Sequence, residues 1–298
     1  MSAPISPPFD PRRAALLMLA SALAFSLMSV AVKFASGSLP STMIVFFRNA
    51  VALFLLLPWA ARGGRAALET HRFTGHLVRG LAGLSGMVCF FFAIAHLRLA
   101  DAVLLNYSFP LFMPLAERFW LREPAPRGTW PRLLIGFAGV IIILKPGSDL
   151  FSRFALLGLM SGLFVAVAQV GIRRLTHTEP IPRIVFYFAL IATSVSALWL
   201  PFTWESPTVS GWLALAAIGS FATIGQFALT RSYFFAPPTV VGPLIYFTVV
   251  FSVLLDWGVW RILPDGLFVA GAALVAAAGA SLLRHHQATG DPESSSPA

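Results

Sequence analysis

Charge is scarce in this chain. Only 11% of its 298 residues are Asp, Glu, Lys or Arg, and 12 are acidic. Water-soluble domains carry roughly 25% charged residues. A soluble core cannot absorb a sequence that is 57% hydrophobic with a mean hydropathy of +0.80, so a soluble globular class is excluded. Cysteine is scarcer still. Cys89 stands alone inside an apolar run, which excludes an intrachain disulfide, and no Cys/His spacing offers a metal site. Cys89 reads as a small buried apolar residue. Tyrosine occurs four times against 27 phenylalanines. No Gly-x-x-x-x-Gly-Lys run occurs, so nothing resembles an ATP-binding loop, and no cofactor is expected.

What is present is apolar sequence in lengths suited to a bilayer. A span needs about 20 residues. Ten stretches qualify: 14–34, 40–60, 77–97, 101–121, 130–146, 154–175, 182–201, 210–231, 238–260 and 265–283. Gly and Pro punctuate the short connectors, as in Gly37 to Pro40, Pro146-Gly147, Pro180 to Pro182 and Pro237-Pro238. The expected fold class is an all-α membrane protein with ten transmembrane helices. The net charge of +9 would suggest nucleic acid for a soluble protein. Here it reflects Arg-rich loops beside anionic lipid, and no nucleic-acid partner is expected.

Fifteen of the 21 Lys and Arg, Arg79 among them, fall on the face that holds the N-terminus. Five (Lys33, Arg98, Lys145, Arg153 and Arg261) fall on the other, and Arg48 lies within a span. The excess of positive charge predicts that both termini are cytoplasmic. The apolar run after Arg13 is too long for a cleaved signal. The polar tail after Arg284 is expected to be disordered.

The two halves match at a constant offset of 140 residues. Ile44 to Phe47 matches Ile184 to Tyr187, Ser21 matches Ser161, Lys33 matches Arg173, Trp120 matches Trp260 and Gly139 matches Gly279. Spans 3 and 8 fit better at 136, where Gly83 meets Gly219. Five spans per half is an odd number, so the second half enters from the opposite side. The expected architecture is two inverted five-helix repeats, with tail 1–13, repeats 14–146 and 147–284, and tail 285–298. Such repeats recur in carriers, with sites near the midplane where helices are interrupted.

Polar groups at bilayer depth are unfavourable and face a bundle interior or a water-filled cavity. Span 4 carries Asn106, Tyr107, Pro110, Pro114 and Glu117, with Asn106, Pro110 and Glu117 on one helical stripe. At the 140 offset Asn106 pairs with Tyr246, which predicts related places across the repeat axis. Arg48 is too deep to snorkel and reads as an anion contact or gate, or as an internal ion pair with Glu117 or Asp256. Gln169 and Gln226 read as substrate contacts or as amides joining helices. Tyr187 and Tyr246, within spans, need hydroxyl partners. Asp256 and Glu117 are the candidate coupling carboxylates, with an interfacial pair to Arg118 or Arg122 as the alternative for Glu117. Asp101 is expected to cap span 4, and His96 to be interfacial.

Over residues 14–284 the chain resembles the drug/metabolite transporter superfamily, in its ten-span EamA-type branch. The resemblance rests on Phe46-Phe47-Arg48 in span 2, Phe91 through Pro110, Leu121-Arg122-Glu123-Pro124 closing span 4, and Gly242-Pro243-Leu244-Ile245-Tyr246 in span 9. Arg122 stands where the family usually has Gly, and Ile262 where it often has an acidic residue. The resemblance implies an inner-membrane carrier whose cavity is walled by spans 1–4 and 6–9. It would be a secondary carrier rather than an enzyme, moving an amino acid or related solute, or alternatively a vitamin-like aromatic such as riboflavin. A membrane-embedded lipid enzyme would need paired acids or a Ser/His set, which Asp256, Glu117 and His96 do not make. A non-transporting scaffold would have no use for the symmetry. A homodimer is compatible with the sequence and unmarked in it.

Overall fold

A computed structural model describes residues 9–97, 99–122, 128–147, 154–261 and 263–289. Glu123, Pro124 and Ile262 of the span endings lie outside it, as do Arg98, Arg127, Arg153 and the tail from residue 290. Among the described residues all regular structure is helical. The helices are α1 (Pro11–Ala35), α2 (Ser41–Leu68), α3 (Phe73–His96), α4 (Leu99–Asn106), α5 (Phe109–Trp120) and α6 (Thr129–Leu144). The second half holds α7 (Ala155–Thr176), α8 (Ile181–Ser196), α9 (Val209–Phe235), α10 (Pro238–Val241), α11 (Phe247–Trp260) and α12 (Gly266–Thr289). They follow the order of the ten expected spans. Span 4 is α4 plus α5. Span 9 is α10, a 3₁₀ turn over Gly242–Tyr246, and α11.

Helix ends follow local chemistry. Asp10 caps α1 by accepting from the Arg13 N–H at 3.0 Å, with Pro11 at the first helical position. Thr208 caps α9 by accepting from Gly211 N–H at 3.2 Å. Five helical segments are long and apolar enough to cross a membrane (α1, α2, α7, α9 and the span 9 composite), and α6, α8 and α12 carry shorter apolar stretches.

The packing obeys the repeat. Helix α1 lies on α9 and α3 on α7, which are equivalent pairs under exchange of the halves. Helix α2 meets α9 as α3 meets α8, while α2 with α8 and α6 with α12 are self-equivalent pairs. Backbones approach closely in the last pair, where a Cβ on Gly139 would fall 2.6 Å from the Gly271 carbonyl. The inverted five-helix repeat read from the sequence is thus the architecture of the molecule. Spans 2, 3, 7 and 8 meet at its centre.

Several bonds join the halves at the end of the bundle that holds the N-terminus. Arg183 Nε donates to the Ala67 carbonyl and Nη2 to the Ala66 carbonyl, both at 2.6 Å. Glu179 accepts from Thr70 at 2.6 Å and from Arg183 at 2.7 Å, with the buried His76 ring 4.0 Å away. At the opposite end the side-chain pairs Lys33 with Asp256, Lys145 with Asp265 and Thr42 with Thr203 are exposed, and the Glu205 N–H reaches the buried Met43 Sδ at 3.1 Å.

Candidate functional site

Spans 4 and 9 are both interrupted, and the interruptions adjoin. Pro110 stands in the first turn of α5, where its missing N–H costs no helical bond. Tyr107 and Ser108 form the break, and Ser108 Oγ returns to the Leu105 carbonyl at 2.5 Å. In span 9 the 3₁₀ turn gives way to α11, and the Thr248 carbonyl is taken by Ser26 Oγ of α1 at 2.9 Å. A serine hydroxyl thus reaches a carbonyl beside each interruption. Tyr107 packs against the apolar cluster of Tyr246, Val249 and Val250, which brings the two breaks together.

Asn106 closes α4, and its amide donates to Ser161 Oγ on α7. The contact is tight because Gly162 follows. A Cβ there would meet Ser108 Oγ at 2.7 Å and the Leu105 and Asn106 carbonyls at 3.0 and 3.2 Å. Gln169, further along the Gly162 stripe of α7, has a buried Oε1 without a hydrogen-bond partner.

A second cluster lies at the crossing of spans 2, 7 and 8. Arg48, Asn49 and Ala52 of α2 face Val185, Phe188 and Ala189 of α8 and Ala222, Thr223 and Gln226 of α9 across a cavity of about 10 Å³. That is room for about one water molecule. Arg48 Nη1 donates to Asn49 Oδ1 at 3.2 Å. Neither acid proposed as its partner reaches it. Glu117 accepts from the Thr239 N–H at 3.0 Å and the Thr239 hydroxyl at 2.6 Å. Asp256 pairs with Lys33 at 3.2 Å.

The remaining candidates separate from these clusters. Tyr187 donates to the Leu68 carbonyl at 2.7 Å and stacks on His76, so it serves the N-terminal end of the bundle. Tyr246 is fully buried against Gly136 and Phe137 of α6. It faces the span 5 and 10 pair, whereas Asn106 faces α7, so the two do not occupy equivalent environments. The 3₁₀ turn before Phe247 rotates the Tyr246 side chain away. Glu117 is 1% exposed, and its carboxylate accepts from the N–H and the hydroxyl of Thr239. Asp101 lies inside the first turn of α4 and accepts from Gly147 N–H at 2.6 Å, so it ties down a connector instead of capping its own helix. His96 is exposed and stacks on Phe154 at 4.2 Å, as an interfacial ring would.

Arg79, counted from the sequence among the loop cations, belongs inside the bundle. It is 4% exposed, and its guanidinium lies over the Phe188 ring at 3.5 Å. The sequence signal was its register. Arg79 precedes Gly80 and Gly83, the small residues through which α3 packs on α8, and shares their face.

The EamA-like transporter family model matches residues 12–145 and again 152–284. The chain belongs to the EamA-like transporter family. A pseudopaline exporter of Pseudomonas aeruginosa is 37% identical over 90% of this chain and 95% of its own length. A riboflavin transporter of Vibrio cholerae is 30% identical over 89% and 91%. An S-adenosylmethionine uptake transporter of Rickettsia bellii is 26% identical over 87% and 88%. A solved crystal structure shares the fold, with a TM-score of 0.79 over 90% of this chain and 96% of the other at 23% identity. This EamA-like protein is therefore a multi-pass membrane protein that transports a small metabolite, and not an enzyme.

Proposed function

We propose that the chain is a secondary-active carrier of an amino acid or related metabolite, working by alternating access. The observation that carries this reading is the pair of adjoining interruptions in spans 4 and 9, at corresponding places in the two repeats. Rocking one repeat against the other needs points where helices bend at little cost. The interruptions of spans 4 and 9, each with a serine hydroxyl bonded to a neighbouring carbonyl, supply them. Asn106, Tyr107 and Pro110 form one wall of the pathway, and Arg48 and Gln226 form another. Gln169, with its buried Oε1 free of a partner, is a further candidate contact. The buried bonds of Glu117 with Thr239 and of Ser232 with the Ala14 carbonyl, which join the halves at the N-terminal end, favour a state sealed there. The excess of Lys and Arg on that face supports a cytoplasmic position for it, with the chain in an inner membrane. A vitamin-like aromatic solute is the second reading, favoured by riboflavin transporters at 30% and 29% identity. Counterflow of labelled amino acids, riboflavin and S-adenosylmethionine in proteoliposomes tests the proposal. Saturable flux of one of them that falls in Asn106→Ala, with insertion unchanged, supports it. Flux indifferent to that substitution removes the site assignment.

A further inference from the structure

The cavity at the centre of the bundle is bordered by positive charge that the protein does not balance. Among the described residues, ion pairs join Asp10 to Arg13, Lys33 to Asp256, Lys145 to Asp265, and Glu179 to Arg183 and His76. None includes Arg48 or Arg79. Arg79 Nε is buried with no hydrogen-bond partner. The two guanidinium charges lie within electrostatic reach of one another and oppose each other. Phe188 links them, since it lines the cavity beside Arg48 and carries the Arg79 guanidinium over its ring at 3.5 Å. Buried unpaired charge at bilayer depth is strongly unfavourable, and such groups mark substrate or ion pathways.

The repeat sharpens the point. At the 140 offset Arg48 is equivalent to Phe188 and Asn49 to Ala189, and all four line this one cavity. The pseudo-twofold axis therefore passes through it. Symmetry is kept in the backbone and broken in the side chains, so that a cation and an amide face an aromatic ring and a methyl group. A merely structural crossing would have no need of one cation without an ion pair on its axis and a second over the Phe188 ring.

We propose that this cavity receives a carboxylate of the transported solute, with Arg48 and Gln226 contacting it and Arg79 supplying a second positive charge from behind Phe188. The proposal rests on the carrier reading above and narrows its substrate to solutes bearing a carboxylate. A carboxylate suits the donors present. A planar guanidinium meets a planar carboxylate through two parallel bonds. Helices α2, α8 and α9 run unbroken past the cavity, so the wall offers side-chain donors only. Phosphate sites recruit free backbone N–H groups at helix starts. The space for about one water-sized group means that the solute's body enters only as the repeats part.

The test is thermal unfolding of the purified full chain in detergent, with no flux read. The probes are succinate, glutamate and citrate at matched ionic strength, the corresponding amides, and inorganic phosphate. At least one carboxylate raises the wild-type midpoint above its amide and above phosphate. Arg48→Gln and Arg79→Met both abolish that rise, and Arg79→Lys keeps part of it. Ligand-free Arg79→Met unfolds roughly 2–4 °C higher than wild type, because an unpaired buried charge has been replaced by an apolar chain of similar length. A scaffold arginine would give the opposite shift. A lower midpoint for ligand-free Arg79→Met, a carboxylate rise that survives in both variants, or no carboxylate exceeding its amide and phosphate overturns the proposal. Any of these leaves the carrier reading intact. That reading fails separately, if the chain binds solutes and moves none.

Discussion

The Glu117 carboxylate takes both the N–H and the hydroxyl of Thr239 at the start of α10, and so ties span 4 to span 9 inside the bundle. A charged acceptor at a helix start is favourable, and hydrogen bonds to charged groups contribute about 1.5–3 kcal/mol each. Glu117→Gln removes the charge and keeps one acceptor. Its thermal midpoint should fall, corresponding to a loss of about 1–3 kcal/mol; an unchanged midpoint would show that Thr239 finds other partners. Asp256 presents the contrast. Its pair with Lys33 is 37% and 49% exposed, and such pairs contribute at most about 1 kcal/mol. Asp256→Asn should therefore unfold within a few degrees of wild type. If the same variant loses the effect of an imposed pH gradient on proteoliposome flux, Asp256 acts in coupling. At this scale the sequence was informative for residues inside a long apolar run and poor at the edges. Arg48 stood out because it is the one charged residue between Lys33 and Arg62. Arg79 did not, because a span drawn from residue 77 left it beside a loop. For Glu117 the sequence left a coupling carboxylate and a pair with Arg118 or Arg122 open, and gave no sign of the bond to Thr239, 122 residues away in sequence.

At the scale of helices, order and number were legible because an apolar run of bilayer length allows little else. The breaks were only half legible. Pro110 and Pro243 announced weak points, but proline at the start of a helix is compatible with an ordinary helix start. Which residue leaves the helix was settled by packing. Ser108 turns back on Leu105, and α7 presses on the break through Gly162. The direction of Tyr246 was not legible for the same reason, since a 3₁₀ turn changes the angle per residue on which the repeat argument relied. Gly162→Ala tests the packing. Its added Cβ meets backbone carbonyls, which cannot swing aside as a flexible side chain would. Overpacking of this kind costs about 1–3 kcal/mol, and the displaced break should reduce flux more than Ala substitution at the exposed Gly258, where nothing lies within 4 Å. Equal effects at the two positions would remove the break from the account.

At the scale of the molecule, the repeat was legible through shared register rather than any single match. The pairing of α1 with α9 and α3 with α7 gives that register its physical meaning. Orientation can be read chemically. In a Cys89→Ala background, a membrane-impermeant thiol reagent applied to intact cells should label Ser38→Cys and spare Glu69→Cys, both of which are exposed. The reverse pattern would invert the topology drawn from the positive face. The central claim is that solute crosses at the meeting of the two repeats. Counterflow in proteoliposomes measures it most directly, with wild type, Asn106→Ala and Arg48→Gln reconstituted at equal density. The account predicts saturable flux of a small organic metabolite in wild type and its loss in both variants. Flux that persists unchanged in both would contradict it.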